Sequence, residues 1–366
     1  MKQEVNIQDK IKLDPILLKG NILLLAMFTG HAALIYIVMW SYDLTGYYRP
    51  ALYDFMVYFS LGLVVFIKGS LYMFRYVSYD RNKRGIKRIK SDFQNGWFNS
   101  DYLISFIIPF LFLPIFIALF SSTKSIIPII KPFYLDEFLM LADRAVHFGI
   151  DPWRITHFIF GSPFGSSFLN FFYNLWFFIM FFYTLWLVVN VDLGKKRLQY
   201  LISFIIAWPL FGSLMAVWFS SAGPVYYGNV VGDNSIFGPL MADLYSFNDQ
   251  LDGRWMRLFA LDVQETLWAD YVNSDVNVGS GISAMPSMHL SVTTLLYLSG
   301  KQVSKFVGYV MLLFLILIQI GSVHLGWHYA LDGYVSIILT WALWKLCGVM
   351  ADWIYKNDKT AAINNL

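Results

Sequence analysis

The chain has 366 residues, of which 57% are hydrophobic and only 14% charged, against about 25% charged in ordinary soluble domains. That balance excludes a water-soluble globular protein. The net charge of +3, spread over short basic loops, excludes a nucleic-acid-binding surface, and the lone Cys347 excludes a disulfide framework or a thiolate metal centre.

In chain order, residues 1–19 carry Lys2, Lys10, Lys12 and Lys19 and read as a short cytoplasmic arm. No cleavable signal is expected, because this polar arm precedes a full-length apolar run. Apolar runs of about 20 residues predict transmembrane helices from about Asn21 to Trp40 and from about Ala51 to Phe74. Seven basic residues follow between Arg75 and Lys90, and such a run keeps its loop on the cytoplasmic side. A third span, Tyr102 to Phe120, leads out to a mixed stretch, 121–165, read as helices lying at the outer interface. A fourth span, Phe168 to Val189, returns to the basic Lys195-Lys196-Arg197. The fifth, Tyr200 to Phe219, rises to a long outer segment, Ser220 to Ala284.

The sixth span begins near Pro286 and ends before Lys301. The seventh runs from Phe306 to Val323, and the eighth from Gly333 to Trp353. The expectation is therefore an all-α integral membrane protein of eight spans with both termini cytoplasmic. Residues 1–100 form an arm, two spans and a basic loop. Residues 101–355 form a six-span core, and 356–366 a cytoplasmic tail. No internal repeat is visible.

Two stretches carry chemistry, and the topology puts both on the non-cytoplasmic face. The first is Gly279-Ser-Gly-Ile-Ser-Ala-Met-Pro-Ser-Met-His289 and the second Ser322-Val-His-Leu-Gly-Trp-His328-Tyr-Ala-Leu-Asp332-Gly333. His328 and Asp332 are four residues apart, the spacing at which helical side chains meet. A histidine oriented by a carboxylate, opposite a second histidine, is the arrangement of a nucleophile and a general acid. Pro286 suits the first turn of a helix. Ser287 and the free amides beside it, led by Gly279 and Gly281, make a candidate anion site. The chemistry that fits is phosphoryl transfer with neither metal nor cofactor: His328 attacks phosphorus, Asp332 fixes its tautomer, and His289 protonates the leaving oxygen. A transporter with a histidine–aspartate proton relay is the reading from a different class.

Pro286-Ser-Met-His289, followed two spans later by His328-Tyr-Ala-Leu-Asp332, resembles the paired motifs of the type 2 phosphatidic acid phosphatase superfamily. Gly326-Trp-His-Tyr329, Ala222-Gly-Pro224 and Ala142-Asp-Arg-Ala-Val-His-Phe-Gly-Ile-Asp-Pro152 resemble its inositol phosphorylceramide synthase branch. The resemblance covers roughly residues 102–352. It implies His328 as nucleophile, Asp332 as its partner and His289 as acid/base. It also implies a membrane lipid as phosphoryl donor, with a lipid, a polyol or water as acceptor.

The chain departs from the superfamily where a Lys and an Arg-Pro are usual, reading Phe219-Ser-Ser-Ala-Gly-Pro224 instead. Ser322 stands where an Arg six residues before the nucleophile is usual. The usual phosphate clamp is then missing or supplied from elsewhere. Arg144, Arg254 and Arg257 are the arginine candidates, because a guanidinium grips phosphate with two hydrogen bonds, and Lys131 is a further one.

Overall fold

The computed structural model describes residues 15–55, 58–59, 62–63, 65–67, 69–70, 100–251 and 256–363. Their longer α-helices are α1 (Pro15–Ser41), α2 (Ser100–Ile130), α3 (Asp136–Val146), α4 (Pro152–Phe160), α5 (Pro163–Val189) and α6 (Gly194–Pro209). They continue as α7 (Tyr227–Val231), α8 (Gly238–Gln250), α9 (Phe259–Asn273), α10 (Met288–Val303), α11 (Lys305–His324) and α12 (Ala330–Ile363). α6 runs on through a π turn, Leu210–Met215, to Ala216–Trp218. No strand occurs among the described residues. The fold is all-α, as composition and apolar runs require.

Among the described residues six stretches are long and apolar enough to cross a membrane: Leu17–Ser41, Ile107–Ile130, Pro163–Val189, Val191–Trp218, Lys305–His324 and Ala330–Lys356. The eight expected spans are not reached among the described residues. The second, Ala51 to Phe74, is described only in interrupted pieces, and residues 1–14 and the basic loop 75–90 lie outside the described residues. The sixth is present as α10 but has only 16 residues. At 1.5 Å per residue it is about 24 Å long, short of the ~30 Å hydrocarbon core.

α10 is short because it starts inside the bundle. Its first residue, Met288, packs at Gly212, where an added Cβ would lie 2.4 Å from the Phe120 ring and 3.0 Å from Met288 Cγ. Phe120 and Gly212 lie about two to three turns from the near ends of their helices at 3.6 residues per turn. From there α10 descends to Ser304, whose hydroxyl caps α11 by accepting from Val307 N–H at 3.1 Å. The two helices then pack closely, since Cβ atoms at Gly300 and Gly308 would each meet the other helix at 3.0 Å.

α2 outlasts its predicted end at Phe120 by ten residues. The polar Ser121-Ser-Thr-Lys-Ser125 stops the hydropathy signal but not the helix. Ser122, Thr123 and Ser125 donate their hydroxyls to the carbonyls of Ala118, Leu119 and Ser121, at 3.1, 2.8 and 3.1 Å, which satisfies them within an apolar bundle. At the opposite end of the bundle, buried Arg197 donates to the carbonyls of Leu187, Val188 and Ser105. It ties α5, α6 and α2 together.

Candidate active site

The predicted triad assembles. α11 ends at His324, and Gly326, at φ +75°, turns the chain back so that the N–H groups of Trp327 and His328 both donate to the Ser322 carbonyl, at 2.9 and 3.2 Å. This sets His328 just ahead of α12. Asp332 stands in the first turn of α12, where the helix dipole favours a carboxylate. Its Oδ2 accepts from Tyr329 N–H at 3.0 Å, reaching back to cap the helix, and lies 3.3 Å from His328 Nδ1. A proton on Nδ1 donated to Asp332 leaves an unprotonated lone pair on Nε2.

Across from it stands His289, on the first turn of α10. Its ring lies between Tyr173 and Trp176 of α5, with centroids 4.5 and 4.2 Å away, and Trp176 Nε1–H donates to the His289 carbonyl at 3.2 Å. The centroids of His289 and His328 are 6.0 Å apart, at 64°. Both rings border one cavity of about 240 Å³, walled also by Tyr53, Lys124, Trp208 and the loop Gly279–Ser283. Burial, reinforced by the positive charge of Lys124 and opposed by the nearby Ala284 carbonyl, pushes the His328 imidazole down to about 3. It is therefore neutral at physiological pH.

Two carboxylates upstream brace this geometry, and sequence reasoning assigned a role to neither. Asp143 of α3 accepts from the N–H groups of Ala330 and Leu331 at 2.8 and 3.0 Å, so with Asp332 it occupies the amides that open α12. Burial pushes the Asp143 carboxyl up to about 6; those two amides oppose the shift and the Asp332 charge adds to it. Asp136 accepts from the N–H groups of Ala222 and Gly223, both at 2.8 Å, and from Tyr329 O–H at 3.0 Å. Gly223, at φ +96°, comes so close to the nucleophile's segment that a Cβ there would lie 2.7 Å from the Trp327 carbonyl oxygen. The Asp-Arg and Ala-Gly-Pro motifs thus act as scaffolding for the His328 loop.

The predicted phosphate-binding residues fare differently. Ser287 is fully buried and caps α10, its Oγ accepting from Leu290 N–H at 3.5 Å; it does not border the cavity. Pro286 precedes that cap and so falls before the helix, not in its first turn. Arg144 is held by Asp151, with Nε and a terminal nitrogen each 2.7 Å from Oδ1. Arg257 pairs with Asp262 and lies over the Phe259 ring. Lys131 lies over the Tyr134 ring, 4.8 Å from its centroid. None of these three cations borders the cavity. Arg254 lies outside the described residues. The cation that does border it is Lys124, which the predicted end of the third span had left in an outer interfacial stretch.

No curated protein and no solved structure matches the chain. A model of the PAP2 superfamily, the type 2 phosphatidic acid phosphatases, matches residues 137–346, well over half of the chain. That stretch contains His289, His328, Asp332 and the bracing Asp143. With His289 and His328 bordering one cavity, Asp332 against His328, and the family model running through all three, this chain belongs to the PAP2 superfamily, a membrane enzyme of the lipid phosphatase and phosphotransferase class.

Proposed function

We propose that the protein is a membrane phosphotransferase that moves a phosphoryl-bearing head group from a lipid donor to a lipid or polyol acceptor through a phosphohistidine, without metal. The observation that carries this reading is the pairing of a neutral, carboxylate-oriented His328 with His289 across a cavity. His328 Nε2 attacks phosphorus and the phosphorus–oxygen bond to the leaving group breaks. Protonated His289 gives that oxygen its proton. The anionic phosphate between the rings supplies the negative charge that favours protonated His289 at this stage. Asp332 balances the charge that grows on His328. In the second half, His289 takes the proton of the acceptor hydroxyl, whose oxygen attacks phosphorus as the nitrogen–phosphorus bond breaks.

Transfer is favoured over hydrolysis by the cover on the site: Tyr226, Val263 and Leu267, all from the 220–284 segment, wall the cavity with apolar surface. The basic ends of the helices support a non-cytoplasmic site. Lys196, at the start of α6, donates to the Gln302 carbonyl beside the α10–α11 turn, and Lys195 pairs with Asp352 near the end of α12. These gather at the end of the bundle opposite the triad, and such positive ends face the cytoplasm.

The test uses purified protein and donor lipids labelled with ³²P in the phosphate, quenched with and without acceptors. Acid-labile label on the protein that disappears in His328→Ala, with label passing to an acceptor, is the expected result. Label released only as free phosphate would make water the acceptor and the protein a phosphatase. A chelator should leave the rate unchanged; a strict metal requirement would overturn the metal-free mechanism.

A further inference from the structure

The catalytic cavity has a wall that the family match does not reach. Tyr53 and Lys124 both precede residue 137, where the match begins, yet both border the cavity beside His289 and His328. Tyr53 is fixed there: its hydroxyl lies 2.9 Å from Ser121 Oγ and accepts from Gly279 N–H at 2.8 Å. The Gly279–Ser283 loop is thereby pinned against α2. Gly281, at φ +94°, lies so close that a Cβ on it would be 2.6 Å from the Lys124 carbonyl carbon.

Lys124 is the only lysine or arginine among the described residues that border this cavity, and no aspartate or glutamate borders it. Its ammonium makes no hydrogen bond or ion pair with any described residue. The backbone N–H groups of Gly281 and Ile282, on the same wall, likewise donate to no described group. Buried charges are ordinarily paired, and buried N–H groups ordinarily hydrogen-bonded. An unpartnered cation in a cavity with two histidines and no carboxylate, beside a loop whose Gly281 and Ile282 amides are unpartnered, is complementary to a tetrahedral oxyanion. Lys124 is also near enough for its charge to bear on both histidine rings.

We propose that Lys124, with the amides of the Gly281–Ile282 loop, is the phosphate-binding group of this enzyme, replacing from the first helix of the core the basic residues absent after α6. The inference rests on the phosphotransfer reading, and names the group that holds the phosphoryl oxygens between His289 and His328. In the transition state Lys124 would meet the negative charge that builds on those oxygens. The ligand chemistry is a phosphate group, either on a lipid or free.

The experiment separates this inference from the transfer reading by measuring binding apart from turnover. Full-length wild type, His328→Ala, Lys124→Gln and Lys124→Arg are purified in detergent. Each is titrated with inorganic phosphate at fixed ionic strength, following the thermal unfolding midpoint. In a second arm a short-chain lipid phosphate is turned over. Wild type and His328→Ala should both bind phosphate. Lys124→Gln should keep its fold and weaken phosphate binding by about 10- to 100-fold, the equivalent of one hydrogen bond to a charged group. Lys124→Arg should restore binding to within several-fold.

In the second arm Lys124→Gln should lower kcat/KM by at least the same factor. A purely structural lysine would lower the unfolding midpoint without changing phosphate affinity. Phosphate affinity equal in wild type and Lys124→Gln, or no phosphate binding by wild type, would overturn the assignment. Phosphate binding that depends on Lys124 in a protein that turns over no lipid would uphold it while sinking the transfer reading. A loss confined to the lipid arm would place Lys124 on the lipid and not on the phosphate, and would also overturn it.

Discussion

His157 and His324 lie with ring centroids 4.3 Å apart and planes at 32°, whereas His289 and His328 stand 6.0 Å apart at 64° on two sides of a cavity. Each pair has a carboxylate near one ring: Asp243 is 3.4 Å from His157 and Asp332 is 3.3 Å from His328. The difference lies in what the remaining ring nitrogens meet. His157 Nε2 lies 3.1 Å from the His324 carbonyl oxygen, and Ser166 Oγ lies 2.8 Å from His324 Nε2. Those hydrogen bonds join α4, α5 and α11, and no substrate atom can enter between stacked rings. In the other pair the only carboxylate contact among the described residues is on His328 Nδ1, and both rings border a cavity. His324 and His328 are neighbours in sequence, so residue type and spacing alone do not separate a packing histidine from a nucleophile. The adjoining empty space does.

The contrast can be broken experimentally. Asp332→Asn should lower the transfer rate by about 10³- to 10⁴-fold, the scale seen when another histidine loses its orienting carboxylate, with phosphate binding retained. Activity within tenfold of wild type would mean that Asp332 only caps α12. Next, histidine ring resonances in ¹⁵N-labelled protein should show His328, identified by its loss in His328→Ala, remaining neutral down to about pH 4. A lowered pKa leaves the ring unprotonated above that value, where a solvated histidine would titrate near 6.5. Lys124→Gln should move the His328 titration upward, because it removes a repelling charge. Titration near 6.5 in wild type would place the ring in water and remove the basis for a neutral nucleophile. The smallest effect belongs to the stacked pair. His324→Gln should change turnover by less than about threefold while costing about 1–2 kcal/mol of stability, the scale of a lost buried hydrogen bond. A collapse in rate with the fold intact would show that both pairs serve the reaction.

Much of this was legible from the sequence. Apolar runs located most of the helices, and the motif spacings pointed to His289 and His328, which border one cavity, and to Asp332, which lies behind His328. Lys124 was hidden because Ser121, Ser122 and Thr123 before it look like the end of a span, and only their hydroxyl bonds to the preceding turn keep α2 going. Arg144 looked available because its partner, Asp151, lies beyond α3, at the start of α4. The scaffolding roles of Asp136 and Asp143 depend on contacts with residues 86 and 187 positions away, which no local pattern encodes. Ser287, a candidate ligand by its place beside His289, spends its oxygen on the Leu290 N–H as the cap of α10.

The recessed start of α10 has a consequence for substrate choice. Lipid phosphates rest at the level of the head groups, whereas the His289 ring packs on Tyr173 and Trp176, about three turns in from the start of α5 at 3.6 residues per turn. In the proposed orientation a donor must therefore sink, or the leaflet must thin around the protein, before phosphorus can meet His328. Selection would then act on depth as well as on chemistry. Lipids whose phosphate can be drawn inward at little cost in head-group hydration would react ahead of those anchored by bulky or highly charged heads, and the thickness of the host membrane would itself tune the rate.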